Sequence, residues 1–242
     1  MNIIGIIPAR LKSTRLPEKL LIKVKGKTII EYVYENASRA KLIRKLYVAT
    51  DSNRIKKALE KSGCSVIMTS KKCKSGSERL RDALRYIKAN INDIIINIQG
   101  DEPLLEPRLI DAVVGALVKE KKYDMATLAS PITGPEEMND KGVVKVVIGS
   151  DSNALYFSRA PIPFERDGEG AKEALKHIGI YAYKKSILDK WPRLTSKYEK
   201  IEKLEQLRAI ENGCMIKVIV AKSRSIGIDT KADLSKFKKS IR

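Results

Sequence analysis

The stretch Ile3-Ile4-Gly5-Ile6-Ile7-Pro8-Ala9-Arg10-Leu11-Lys12-Ser13-Thr14-Arg15-Leu16-Pro17-Glu18-Lys19-Leu20-Leu21 joins an apolar strand directly to a loop carrying four cations. Ile3, Ile4, Ile6 and Ile7 form the apolar run of a strand buried on both faces, and Pro8, which has no N–H for a ladder, is expected to end the regular pairing. Arg10, Lys12, Arg15 and Lys19 then crowd into ten residues, a density of donors that suits a polyanion better than packing. A solvated loop in a lysine-rich protein has the same composition, so these residues alone leave that reading open. Two phosphate motifs are excluded. Gly26-Lys27-Thr28 has the tail of a P-loop, but the first glycine of that motif falls at Leu21, and Gly168 and Gly170 lack a third glycine because the residue required is Glu173.

Outward from this stretch the pattern alternates. Residues 28–40, 52–62, 75–89 and 107–119 read as helices, and 45–50, 65–68 and 93–98 as strands. Such alternation predicts a mainly parallel sheet with helices on both faces. In open α/β sheets ligands bind beyond the carboxyl ends of the strands, and the polar motifs lie there: 8–19, Asp51, Ser75 to Ser77, and Gln99 to Glu102. After residue 123 the rhythm changes to strands at 125–130, 143–148, 154–157 and 178–184, which predicts a mixed or antiparallel extension with a protruding segment around 130–175. A helix at 199–212 closed by Gly213, a strand at 215–221 and a helix at 231–241 complete the chain.

The 242 residues fit one large α/β domain spanning 1–242. The N-terminal apolar run is interrupted by Gly5 and stopped by Pro8 and Arg10, so neither a signal peptide nor a membrane span is expected, and the expected location is the cytoplasm. Cys64, Cys73 and Cys214 include no C-x-x-C pair, which speaks against a disulfide framework or a structural zinc. His177 is the sole histidine, so a histidine cluster or a serine–histidine relay cannot be assembled. The net charge of +19 invites nucleic acid, but lysines recur on the polar faces of many predicted helices and aromatic residues make up only 5% of the chain, too few for stacking platforms, so no specific nucleic-acid partner is expected.

Two aspartates could oppose the cation loop. Asp101 follows the isoleucine strand and Asp229 precedes Thr230 and the terminal helix; a magnesium ion favours one or two carboxylates plus substrate phosphates, so together they would suit a metal-bound nucleoside triphosphate. Either could equally be a turn or cap residue, and Ser75 and Ser77 could be helix caps. An acidic acceptor would need a cationic partner, for which Arg159 and His177 are candidates. Glu202, Glu205 and Gln206 would share a face of the predicted helix, an arrangement that surface ion pairing also explains.

Several blocks in order resemble the sugar-acid cytidylyltransferase family, and within it the enzymes acting on 3-deoxy-manno-octulosonate (KDO). They are the opening stretch, Val48-Ala49-Thr50-Asp51, Ser75-Gly76-Ser77-Glu78-Arg79-Leu80, Gln99-Gly100-Asp101-Glu102-Pro103, 154–163, His177-Ile178-Gly179-Ile180-Tyr181, Leu204-Glu205-Gln206-Leu207-Arg208 and Gly227-Ile228-Asp229-Thr230. The resemblance implies a Rossmann-like nucleotidyltransferase domain, a dimerisation segment and a homodimer. It implies joining of CTP and KDO to give CMP-KDO and pyrophosphate, for lipopolysaccharide or capsule precursors. It assigns Pro8, Ala9, Arg10, Arg15, Lys19, Ser75 and Ser77 to the nucleotide, with Lys19, Arg10 and Asp101 catalytic. Asp101 and Asp229 would hold Mg2+, and Gln99, Arg159, His177, Tyr181, Glu205 and Gln206 the sugar. Glu18 and Leu20 stand where the family has glycine and proline, and Gly142 where it has asparagine. Rival readings are a sialic-type or amino-KDO acceptor, and a non-catalytic polyanion binder on the same fold.

Overall fold

Strand β1 (Ile3–Ala9) buries its isoleucines on both faces, as an unbroken apolar run requires. The computed structural model describes residues 1–13, 15–73, 75–166, 173–223 and 225–241; the Gly168 and Gly170 pair lies outside them. A hairpin, β2 (Lys23–Val24) and β3 (Lys27–Thr28), turns through Lys25 and Gly26, both at positive φ, and leads into α1 (Ile29–Ser38). Thr28 and Glu31 form a capping box there. Then come β4 (Lys45–Thr50), α2 (Asn53–Glu60) capped by Ser52, β5 (Val66–Met68), α3 (Gly76–Leu84) capped by Ser75, β6 (Ile94–Asn97) and α4 (Pro107–Lys119).

The next elements are β7 (Met125–Pro131), α5 (Pro135–Asn139), β8 (Lys145–Ile148), β9 (Ala154–Ser158), β10 (Leu175–Lys184), α6 (Lys185–Lys190), α7 (Tyr198–Glu202), α8 (Gln206–Glu211) and β11 (Ile216–Val220), and α9 (Lys231–Ser240) ends the chain. Contacts divide the chain into two units, Met1–Asp111 with Ser223–Arg242, and Ala112–Lys222. In the first, β1 pairs in parallel with β4 on one edge and β6 on the other, and β5 extends β4 in parallel. In the second, β7 is antiparallel to β10 and parallel to β11, while β8 is antiparallel to both β9 and β10. This is the α/β class expected from the alternation, with the antiparallel extension placed after residue 123.

Four expectations need correction. Pro8 does not end pairing: the β6 edge of β1 is matched to Ile6, but the β4 edge runs on to Ala9, so the proline sits where one edge alone is paired. Helix α3 stops at Leu84 instead of residue 89, because the next amides, Tyr86 and Ile87, bond three residues back to Ala83 and Leu84 and tighten the end into turns. The helix expected at 199–212 is two short helices, α7 and α8, because Lys203 takes the left-handed conformation at φ 56. Strand β10 begins three residues early and absorbs Gly179 and Ile180 in a bulge between Ile178 and Tyr181.

Candidate active site

In the first unit the carboxyl ends of β1 and β6 bring the cation loop against the turn Gln99-Gly100-Asp101. Close approach depends on Gly100, where a Cβ would meet the Pro8 carbonyl oxygen at 3.0 Å. The Ile228 amide donates to the Asp101 carbonyl at 2.9 Å, which carries Asp229 to the same place from the far end of the sequence. Lys19, in a short 3-10 turn after the loop, completes the cluster: its Nζ donates to Asp101 Oδ2 at 2.5 Å and to Asp229 Oδ1 at 2.8 Å. Burial opposes the Lys19 charge, but the two carboxylates outweigh it and raise its pKa above the ordinary lysine value. Arg15 donates to the other oxygen of Asp229 at 2.6 Å.

These groups face a cavity of about 350 Å3 lined by Pro8, Arg10, Lys12, Ser13, Arg15, Lys19, Leu20, Gly76, Gln99, Gly100, Asp101 and Asp229. One Arg10 terminal nitrogen is buried without a hydrogen-bond partner among the described residues, an unsatisfied donor on a positively charged wall that an anionic oxygen would satisfy. Gly76 reaches this wall at the start of α3. Its neighbours serve the helix: Ser75 Oγ accepts from the Glu78 amide at 3.2 Å, and Ser77, itself buried, lies 3.0 Å from Ser75 Oγ. Ala9 is fully buried in β1, with its side chain in the core. A second cavity, about 570 Å3, shares Arg10 and Lys12 and is walled by Asp51, Arg54, Lys71 and Arg79. Arg79 is 1% exposed and bonds Thr69 at 2.6 Å and Asp51 at 3.1 Å, which fixes α3 against the end of β4.

Glu18, next to Lys19 in sequence, directs its charge to Arg54 instead. It adopts the left-handed conformation, φ 52, that the family's glycine would favour, and both carboxylate oxygens turn to Arg54. Lys12, Ser13, Gly76 and Gly100 were not singled out as site residues. The signal was present for Lys12 in the cation run, but Gly76 and Gly100 act through close backbone approach, which one sequence does not reveal.

The remaining site residues lie in the second unit. His177 Nε2 is 2.9 Å from Thr127 Oγ1, and that hydroxyl donates to the Ile180 carbonyl at 2.7 Å. With its one proton engaged, Thr127 must accept from Nε2–H, so Nδ1 carries the lone pair. The ring packs edge-on to Phe157 and tilted against Tyr181, and desolvation lowers its pKa to about 3. His177 is therefore a neutral acceptor and not a cationic partner for a carboxylate. Among the described residues the buried Tyr181 hydroxyl has no partner of good hydrogen-bond geometry, and burial raises its pKa.

Arg159 is held on three sides: its backbone amide donates to Glu202 Oε2 at 3.0 Å, Nε to the Glu202 carbonyl at 2.9 Å and Nη1 to the Lys141 carbonyl at 2.9 Å. Glu202 ends α7, Glu205 precedes α8 and Gln206 opens it, so the shared face expected of one helix does not form. Gln206 is buried, and Glu202 is directed to Ser158 and Arg159 instead of to a neighbouring turn. Thr127 and Lys145 were missed, and Glu202 was grouped with Glu205 and Gln206 instead of with Arg159, because a polar residue on a strand or helix reads as solvent-facing until its partner is known.

A cation loop set beside two carboxylates around one cavity, at the ends of parallel strands, is a nucleotidyltransferase type of site. The chain belongs to the cytidylyltransferase family, whose model matches residues 4–223. It is 46% identical over 236 residues to the 3-deoxy-manno-octulosonate cytidylyltransferase of Syntrophobacter fumaroxidans, covering 97% of this chain and 94% of that one. It is 43% identical over 236 residues to the 8-amino-3,8-dideoxy-manno-octulosonate cytidylyltransferase of Shewanella piezotolerans, covering 97% and 96%. A solved CMP:2-keto-3-deoxy-manno-octonic acid synthetase complexed with CTP aligns with a TM-score of 0.92 at 36% identity, covering 99% of this chain and 98% of that one.

Proposed function

We propose that this chain transfers CMP from CTP to KDO, giving CMP-KDO and pyrophosphate. The observation that carries the reading is the convergence of Lys19, Asp101 and Asp229, with Arg10 and Arg15, on one cavity in a chain of this family. The anomeric hydroxyl attacks the α-phosphorus in line, the α–β phosphoanhydride bond breaks, pyrophosphate departs and the hydroxyl proton goes to solvent. Transfer of this kind asks for positioning and charge compensation more than covalent chemistry. Arg10 and Lys19 compensate the triphosphate and Arg15 the departing pyrophosphate. Ser75 and Ser77, through the backbone around Gly76, border the nucleoside end. Arg159 takes the acceptor carboxylate, and neutral His177 accepts from an acceptor hydroxyl through Nδ1.

Asp101 and Asp229 fit Mg2+ chemically, as hard carboxylate donors already drawn to a single positive charge beside an anion cavity. Bound there, the ion would neutralise phosphate charge and orient the nucleotide.

No helix among the described residues is long and apolar enough to cross a membrane, and we place the reaction in the cytoplasm, with its CTP supply. Exposed Leu155 and Phe164, the latter beside a groove lined by Ile132, Pro135, Met138 and Pro163, favour a homodimer. The amino-KDO acceptor is the second reading, favoured by the 43% identity to an enzyme of that name. Pyrophosphate release with CTP, Mg2+ and each of KDO, 8-amino-KDO and a sialic acid decides between them. Turnover with KDO at the highest kcat/KM is expected, and turnover confined to either alternative would overturn the KDO reading.

A further inference from the structure

Among the described residues of the second unit, Lys145 is the most deeply enclosed charge. Its side chain is fully buried in β8, and all three ammonium donors go to backbone carbonyls: Asp140 at 3.0 Å, Val143 at 2.7 Å and Arg159 at 2.8 Å. A lysine so placed loses its hydration, and desolvation duly lowers its pKa. Packing alone would be served by methionine or leucine, so the charge has another use, and its three acceptors indicate it. Two belong to the turn between α5 and β8, and the third is the carbonyl of Arg159 at the end of β9.

The same turn returns a bond to the same arginine, since the Lys141 carbonyl accepts from Arg159 Nη1 at 2.9 Å. From the other side Glu202 completes the frame. Its carboxylate accepts from the Ser158 hydroxyl at 2.5 Å and from the Arg159 amide at 3.0 Å, while its carbonyl accepts from Nε at 2.9 Å. Backbone and guanidinium of Arg159 are thus both fixed before any ligand arrives, and the donors not engaged in this frame remain for a carboxylate. A guanidinium oriented in advance loses less freedom on binding than a mobile one.

We propose that Lys145, with Glu202, is a positioning residue of the acceptor subsite: its buried ammonium ties the 140–143 turn to the end of β9 and thereby holds Arg159 in the orientation that receives the sugar acid. This rests on the reading of Arg159 given above. Gly142 belongs to the same device. Its amide donates to Asp140 Oδ1 at 2.7 Å, and a Cβ there would meet that oxygen at 3.0 Å, so the turn closes tightly beneath Lys145.

The test is steady-state kinetics with CTP and KDO on Lys145→Met, Arg159→Ala and the double variant, each checked for folding by circular dichroism. Lys145→Met is expected to raise the KM for KDO about tenfold while kcat and the KM for CTP stay within about twofold. In the Arg159→Ala background the same substitution should add less than about twofold, because it acts through a side chain no longer present. Equal loss on CTP and KDO, or a full tenfold effect without Arg159, would overturn the inference. Should Lys145→Met not fold, Glu202→Gln reads the same frame from its other side, and an unchanged KDO KM there would overturn it. If Arg159→Ala leaves KDO kinetics unaltered, the reading of Arg159 itself falls, and the inference with it; if Arg159→Ala raises the KM and Lys145→Met does not, the inference alone falls.

Discussion

Replacing Lys19 by methionine removes the one ammonium between two carboxylates. The oxygens of Asp101 and Asp229 that it bonds lie at 2.5 and 2.8 Å from Nζ; the repulsion between the carboxylates is common to both proteins, so the variant loses two ammonium–carboxylate attractions, each worth roughly 1–4 kcal/mol across the dielectric range from water to a protein surface. Side-chain exposures of 25% for Asp101 and 36% for Asp229 let water screen part of this, and about 2 kcal/mol of lost stability at pH 7 is the expectation. Millimolar Mg2+ should restore more stability to the variant than to the parent, in which Lys19 already compensates the pair. Urea unfolding of both proteins at pH 7, with and without Mg2+, measures the gap, with ~1 kcal/mol resolvable between curves. A variant as stable as the parent, or a stability gap unchanged by Mg2+, would refute the reasoning.

Three further outcomes follow from the same geometry. Asp101→Asn should lower kcat by orders of magnitude with circular dichroism unchanged, and near-normal turnover in Mg2+ would remove Asp101 from the reaction. His177 should remain neutral in the folded protein from pH 8 to pH 5, because desolvation holds its pKa near about 3. The unfolded chain takes up that proton near its ordinary value, so the residue's contribution to stability falls by about 1.4 kcal/mol per pH unit below about 6.5. The ring proton resonance of this single histidine should not titrate over that range, and a midpoint near 6.5 would contradict the enclosure described. Light scattering at micromolar concentration should give twice the 27.1 kDa chain mass, and a monomer mass would contradict the homodimer.

Much of the frame was legible because its signals are local. Strand β4 and helix α4 fall at the expected residues, since a bounded apolar run and a proline-led amphipathic pattern need no tertiary information. The β2–β3 hairpin was overlooked because Lys25, a non-glycine residue, takes positive φ beside Gly26 in the turn. The break between α7 and α8 was hidden for the same reason, as Lys203 carries no mark of its left-handed backbone. At the site, the cation loop was readable as residues, but the meeting of Asp101 with Asp229 depends on a backbone bond from Ile228 across more than half the chain. The role of Lys145 and the partner of Glu202 were not readable, because a lysine in a strand and a glutamate in a helix look like surface until burial and bonding show otherwise.

The central claim is that the α-phosphate of CTP is transferred to a sugar acid. Phosphorus-31 NMR of the wild-type protein with CTP, KDO and Mg2+ follows both products at once. Equimolar appearance of a CMP phosphodiester and free pyrophosphate, dependent on KDO, is the predicted result; CTP left intact, or converted to CDP and inorganic phosphate regardless of KDO, would contradict it.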